Sequence, residues 1–259
     1  MTYGGGKFVA VGASGVIHYS YDGVYWSNNI GQGSNHLYGI TYGSGKFVAV
    51  GNDGEIYYST DGIKWSENVG NGVVNENLQS VAYGNGKFVA VCGSSDGTTG
   101  YLYYSSDGIN WPASPSKTVD WYLYNITYGG GKFVAVGSSS SVYHSSDGKN
   151  WSENVGPSGI QQFQDICYGA SKFVAVGGGG IIHHSSDGIN WSENVGKDSS
   201  TGLFGVAYGA GKFVAVGSKY IYVSSDGVNW PGDPTHATQT GDFLNGICFP
   251  AYSTEYIAP

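Results

Sequence analysis

The sequence predicts an all-β protein: a six-bladed β-propeller of four-stranded blades, its ring closed by the C-terminal strand pairing with the N-terminal blade. Three observations carry this. The segment Lys-Phe-Val-Ala-Val begins at Lys7, Lys46, Lys87, Lys132, Lys172 and Lys212. A second element, Ser-x-Asp-Gly-x-x-Trp, follows each copy. No stretch shows the apolar period of a helix. Units of about 40 residues that each read as four short strands are the mark of propeller blades.

The second unit shows how each element follows. Leu37-Tyr38-Gly39-Ile40-Thr41-Tyr42 is an apolar, β-branched and aromatic run, and Gly43-Ser44-Gly45 is a turn. Lys46-Phe47-Val48-Ala49-Val50 makes the next strand, and Gly51-Asn52-Asp53-Gly54 the next turn. Glu55-Ile56-Tyr57-Tyr58-Ser59 is the third strand. Asp61-Gly62 then turns the chain into a fourth that starts at Ile63-Lys64-Trp65. Asp-Gly between hydrophobic runs signals a hairpin, because glycine accepts a positive φ without steric cost.

The whole chain, 1–259, reads as a single propeller domain, with repeats starting near 1, 36, 77, 122, 162 and 202. The first unit lacks most of its first strand. Leu244-Asn245-Gly246-Ile247-Cys248-Phe249 matches Leu203-Phe204-Gly205-Val206-Ala207-Tyr208 position by position. Residues 243–249 are therefore expected to lie beside Lys7 to Gly12 and close the ring, which removes exposed sheet edges. A solenoid would need polar terminal caps instead. In the tail, 250–259, Glu255-Tyr256-Ile257-Ala258 echoes Lys-Phe-Val-Ala, as a surplus end or the start of a seventh blade.

Composition excludes several functions. Charged residues are 12% of the chain and the net charge is -8. All 11 basic residues are lysine; there is no arginine. Nucleic-acid binders need a positive stripe, so no nucleic-acid partner is expected. No apolar run is long enough to cross a membrane as a helix, so no membrane insertion is expected. The first residues do not read as a signal peptide. Cys92, Cys167 and Cys248 are widely spaced and suit neither a disulfide framework nor a zinc site. The histidines show no metal spacing; His18, His144 and His184 read as sharing one strand position. No metal and no cofactor are expected.

The Ser-x-Asp-Gly-x-x-Trp element resembles the Asp-box, or bacterial neuraminidase repeat, with one residue fewer between Asp and Trp. The resemblance covers nearly the whole chain. It implies the fold of sialidase-type propellers. It also points to photosystem II assembly-factor-type propellers and to repeat proteins of phage and bacterial surfaces, hence an extracellular or virion-associated setting. In that family the element marks the hairpin between the third and fourth strands. Asp22, Asp61, Asp107, Asp147, Asp187 and Asp226 then have a structural role: their carboxylates bond the turn backbone. Sialidases hold substrate with an arginine triad, since arginine offers a planar bidentate fork. A chain without arginine cannot build that triad.

The reading is therefore a non-catalytic binding propeller, with a glycan or a surface protein as partner. Trp and Tyr offer rigid stacking surfaces for sugars, and neutral polar side chains offer hydrogen bonds at low ordering cost. The segments that differ between copies lie on the rim opposite the Asp-boxes, where a constant scaffold displays variable loops. They supply the candidates Trp121, Tyr122, Asp120, His36, Asn75, Glu76, Gln162 and Asp165. Trp121 leads, as the one tryptophan outside the repeat. A multivalent version uses Trp-Ser-Glu-Asn-Val-Gly: Trp65, Glu67 and Asn68; Trp151, Glu153 and Asn154; Trp191, Glu193 and Asn194. The alternative to carbohydrate is a protein-interaction scaffold. A third is a hydrolase with a carboxylate site on the variable face, where Asp120 and Asp165 are the candidates. Glycoside hydrolysis needs two carboxylates at a defined separation.

Overall fold

The computed structural model describes residues 1–247 apart from 32–34, 71–75, 95, 140, 156–161, 194, 196–201, 219, 232–235, 238–243 and 245. The described chain is all-β, in six antiparallel sheets. The first holds β1 (Thr2–Gly4), β2 (Lys7–Val11) and β3 (Ile17–Ser20). The second holds β4 (Leu37–Gly43), β5 (Lys46–Gly51) and β6 (Ile56–Ser59). The third holds β7 (Asn77–Gly84), β8 (Lys87–Gly93), β9 (Thr99–Ser105) and β10 (Lys117–Asp120). The fourth holds β11 (Leu123–Gly129), β12 (Lys132–Gly137), β13 (Ser141–Ser145) and β14 (Ser152–Val155). The fifth holds β15 (Phe163–Gly169), β16 (Lys172–Gly177) and β17 (Ile182–Ser185). The sixth holds β18 (Leu203–Gly209), β19 (Lys212–Gly217), β20 (Tyr220–Ser224) and β21 (His236–Ala237).

Four strands per sheet were expected, and three sheets have them. In the first, second and fifth the outer segment runs beside the third strand without becoming a ladder. Ser66 N–H donates to the Tyr58 carbonyl and Val69 N–H to that of Ile56. Between these bonds, side chains replace the backbone. Tyr58 N–H donates to Ser66 Oγ, and Ile56 N–H to Asn68 Oδ1 at 2.9 Å. Asn29 does the same for Ile17 N–H. A side-chain acceptor satisfies the strand's orphan donor but breaks regular pairing.

The repeated Lys-Phe-Val-Ala-Val strand is buried on both faces: Phe47, Val48, Ala49 and Val50 have no exposed surface. Its neighbours explain why. An added Cβ on Gly62, in the second sheet's Asp-Gly turn, would lie 2.9 Å from Phe47 and 3.1 Å from Val9 of the first sheet. From the second sheet to the sixth, each thus lays its Asp-Gly turn on the second strand of the sheet before it. Five apolar cores result, each joining two sequential sheets, from first-with-second to fifth-with-sixth.

The sixth junction, expected from residues 243–249, is not among these cores. Leu244 N–H donates to the Gly217 carbonyl of the sixth sheet, and no bond to Lys7–Gly12 is described. Residues 248 and 249 lie outside the described residues. On the first sheet, β1 already pairs Thr2 with Val9, Tyr3 with Phe8 and Gly4 with Lys7, so that stretch of edge is taken.

Candidate functional site

The antiparallel order places the Asp-Gly turns and the lysine-preceding turns on one rim. The second-to-third-strand turns and the connections between sheets lie on the other.

On the first rim the polar side chains are consumed locally. At Asp147, Oδ1 accepts from Lys149 N–H, Asn150 N–H and Ser145 Oγ–H, and Oδ2 accepts from Asn150 Nδ2. The N–H donors of Asn150 and Lys149 hold its carboxyl below the usual range. Asp22, Asp61, Asp107, Asp187 and Asp226 are lowered in the same way. Lys7 reaches across to the next sheet and donates to the Asp61 backbone carbonyl at 2.8 Å.

The multivalent sites do not assemble as expected. Trp65 is buried, and Trp151 and Trp191 are half-buried against Phe133 and Phe163. Asn68 Oδ1 is occupied by the N–H groups of Ile56 and Gly70. Glu153 accepts from Tyr143 O–H at 3.0 Å. Glu67 and Glu193 are exposed at their outer segments. Asn194 and the side chain of Asn154 lie outside the described residues. The histidine reading also needs correction. His18 stands opposite Ala10 as His183 stands opposite Ala175, whereas His144 and His184 face Val134 and Val174. His18 and His183 bond the carbonyls of Ser27 and Ser192 alike.

On the variable rim a cavity of about 700 Å³ opens among the first strands of the sheets. In five of them a bulge falls at the same place, after Leu37, Leu78, Leu123, Phe163 and Leu203. A bulge re-aims the residues next to it, and those residues differ between copies: Gly39, Ser80, Asn125, Asp165 and Gly205. They bond from sheet to sheet. Ser80 Oγ donates to Asn125 Oδ1 at 2.8 Å, and Asn125 Nδ2 donates to Asp165 Oδ1 at 2.5 Å. Asp165 also accepts from Ile166 N–H on Oδ1 and from Val206 N–H on Oδ2. Burial pushes its carboxyl up to about 7, against these donors. Its residual exposure is to the confined cavity.

One residue earlier in the same strands, Tyr38, Gln79, Tyr124 and Gln164 line the cavity with hydroxyl and amide groups, and further polar side chains stand behind them. Gln79 Nε2 donates to the Tyr122 hydroxyl at 2.6 Å, and the Tyr122 and Tyr124 rings are 5.0 Å apart. Tyr124 O–H reaches Gln162 Oε1 at 3.4 Å. Tyr38 is exposed, with the His36 ring 6.2 Å away. Burial raises the Tyr122 phenol to about 12, so it remains a neutral hydroxyl.

Of the expected site residues, Asp165 lines the cavity, while Tyr122, Gln162 and His36 stand against the lining side chains Gln79, Tyr124 and Tyr38. Trp121 and Asp120 are exposed at the end of β10, beside the Thr98 carbonyl that accepts from Trp121 N–H. Trp121 has a φ of 77°, uncommon for a bulky residue. Glu76 sits at the second-to-third sheet connection, its carbonyl accepting from Gly54 N–H. Asn75 lies outside the described residues. Sequence reasoning missed Tyr38, Gln79, Ser80, Tyr124 and Asn125. The signal was there: they vary inside a strand whose other positions repeat.

No protein-family model matches the sequence, and no curated protein matches it. Among solved structures, it is similar to YCF48 bound to a D1 peptide, at 17% identity and a TM-score of 0.60 over 86% of this chain and 76% of that one. It is similar to the WD40 β-propeller domain of Doa1, at 15% identity and a TM-score of 0.65 over 93% and 82%. It is also similar to the GH74 enzyme of Niastella koreensis, at 16% identity and a TM-score of 0.64 over 89% of this chain and 36% of that one. The fold is therefore that of a β-propeller with repeat-type blades. At these identities the likeness establishes the fold alone.

Proposed function

We propose that the protein is a non-catalytic binding propeller whose ligand sits on the variable rim at the cavity mouth, and that the ligand is a carbohydrate. The observation that carries this is the belt of Tyr38, Gln79, Tyr124 and Gln164 on the cavity wall, with Tyr122 and Gln162 bonded behind Gln79 and Tyr124. Neutral donors and acceptors alternate there with aromatic rings, and Trp121 flanks it. Rings stack on sugar faces while amides and hydroxyls bond sugar hydroxyls, at little cost in side-chain ordering. Against hydrolysis, Asp165 is the one acid lining the cavity among the described residues, and its oxygens accept from Asn125 and Val206 of the flanking sheets and from Ile166 of its own strand. Asp120 stands outside the cavity, so the pair of acids that glycoside hydrolysis uses is not assembled there.

A second reading, an extended peptide as ligand, is favoured by one observation: YCF48, similar in fold, is solved with a D1 peptide. Parallel glycan and peptide arrays, followed by calorimetric titration, separate the two. The carbohydrate reading expects sugar binding that Tyr38→Ala weakens at least about tenfold with an unchanged Tm. Binding of peptides and of no sugar would replace it with the second reading. Turnover of a bound glycan would overturn the non-catalytic assignment.

A further inference from the structure

We infer that the space between the sixth and first sheets is a docking slot for a seventh unit of this repeat.

The faces on either side of the slot are the ones that every other junction buries. Gly23, in the first sheet's Asp-Gly turn, is exposed, whereas Gly62, Gly108, Gly148, Gly188 and Gly227 are all buried. A Cβ on each of those five would meet the second-strand valine of the sheet before; on Gly23 it would meet only Phe8 of its own sheet. Phe8 and Ala10 are partly exposed, while Phe47 and Ala49 at the same positions are sealed. Trp26 is 38% exposed against 7% for Trp65. It lines an open, almost wholly apolar cavity of about 370 Å³ with Met1, Ala10 and His18. Across the slot, Val214 is partly exposed, whereas Val9, Val48, Val89, Val134 and Val174 are not. Lys212 is likewise more open than its five counterparts.

The two faces are of opposite kind. One normally receives an Asp-Gly turn, and the other normally supplies it. A body that fits both must carry both, as each unit of the repeat does.

Two described residues where that unit's inner strand would start, Leu244 and Gly246, sit against the sixth sheet. Leu244 N–H bonds the Gly217 carbonyl as Leu37 N–H bonds that of Gly12. Gly246 lies against Gly205 as Ser80 lies against Gly39. Cys248 and Phe249 match Thr41 and Tyr42, but on the first sheet those places belong to Thr2 and Tyr3. In sequence, Glu255-Tyr256-Ile257-Ala258 echoes Lys-Phe-Val-Ala.

Hydroxyl-radical footprinting of the full chain tests this. Trp26 and Phe8 should label several-fold faster than Trp65 and Phe47, in a monomer by sedimentation. A second chain carries a copy of the Gly209–Trp230 sequence after Phe249 in place of 250–259. There, Trp26 labelling should fall to the Trp65 level and Tm should rise by roughly 5 °C or more. Val214→Asp tests the slot without the added unit: in the full chain it should shift Tm by less than about 2 °C, whereas Val134→Asp should unfold it. The inference is overturned if Trp26 is protected in the monomeric full chain, which means six sheets seal the ring. It is also overturned if protection appears only in a dimer, which makes a second copy the occupant. Destabilisation by Val214→Asp matching that of Val134→Asp overturns it, as does an added unit that proteases remove with Trp26 still labelled.

Discussion

Asp147 and Asp165 each gather several hydrogen-bond donors, yet they hold their protons in opposite ways. Asp147 takes its donors from one exposed hairpin, and they keep its carboxyl ionised well into acid. Asp165 takes its donors from three sheets at the cavity, and burial lifts it to about 7. Water decides the difference: donor count is similar, but only Asp147 keeps the hydration that stabilises a charge. The two rims differ in the same way. On the Asp-box rim each Asp carboxylate serves its own turn, so the hairpin can be copied from unit to unit. At the cavity mouth the polar groups serve their neighbours, so each copy can differ and the surface can become specific.

The constant rim should be the harder one to alter. A Cβ on Gly129 would fall 2.0 Å from Tyr168 Cγ of the next sheet. Gly129→Ala should therefore destabilise by about 3 kcal/mol in denaturant unfolding. Two residues on, Gly131 has a positive φ of 80° but nothing within 4 Å of an added Cβ. Gly131→Ala should cost only about 1 kcal/mol, for the backbone alone. Equal effects would mean that the close approach of sequential sheets at this rim is not what fixes the glycine.

The two kinds of carboxylate should split the pH dependence of stability. Asp165 has a raised pKa, so its contribution is full below the unfolded value near 4 and is lost as pH rises through about 7. The Asp-box carboxyls are lowered, so theirs is full above about 4 and is lost as pH falls. Tm should peak near pH 4–5, and Asp165→Asn should flatten the limb above it, a change on the order of 2 kcal/mol. A limb between pH 5 and 7 that survives Asp165→Asn would assign it to another group.

Asn68→Ala should come next, at about 1–2 kcal/mol, because it leaves two backbone donors unmet at the edge of the second sheet. A fall in glycan affinity at unchanged Tm would instead restore Asn68 as a binding residue.

These contrasts follow how much of the molecule was legible in the sequence. The sheets were legible, because Lys-Phe-Val-Ala-Val and Asp-Gly-x-x-Trp are local instructions repeated six times. The fourth strands were half legible. Ser66 and Asn68 look like surface residues in the sequence, and only the fold shows their side chains standing in for backbone acceptors. Asp165 was found as an odd acid in an inner strand. Its partner Asn125 was not, since a bond between residues 40 apart depends on how two sheets pack. Tyr38 and Gln79 were hidden for a related reason: they vary inside an inner strand whose other positions repeat, not in the loops.

The smallest stability effect is expected where the largest binding effect should lie. Trp121 is 46% exposed and outside the apolar cores, so Trp121→Ala removes little packing. Its positive φ adds a small strain that alanine also bears, and Trp121→Gly relieves it. Trp121→Ala should therefore stay within about 0.5 kcal/mol of the parent in unfolding, and Trp121→Gly should equal or exceed the parent. If the ring is a stacking platform, both variants should weaken the ligand at least about tenfold, a loss of about 1.4 kcal/mol. Binding that persists in both would leave Trp121 as a strained connector between β10 and β11, and would move the ligand wholly to the Tyr38 and Tyr122 side of the mouth.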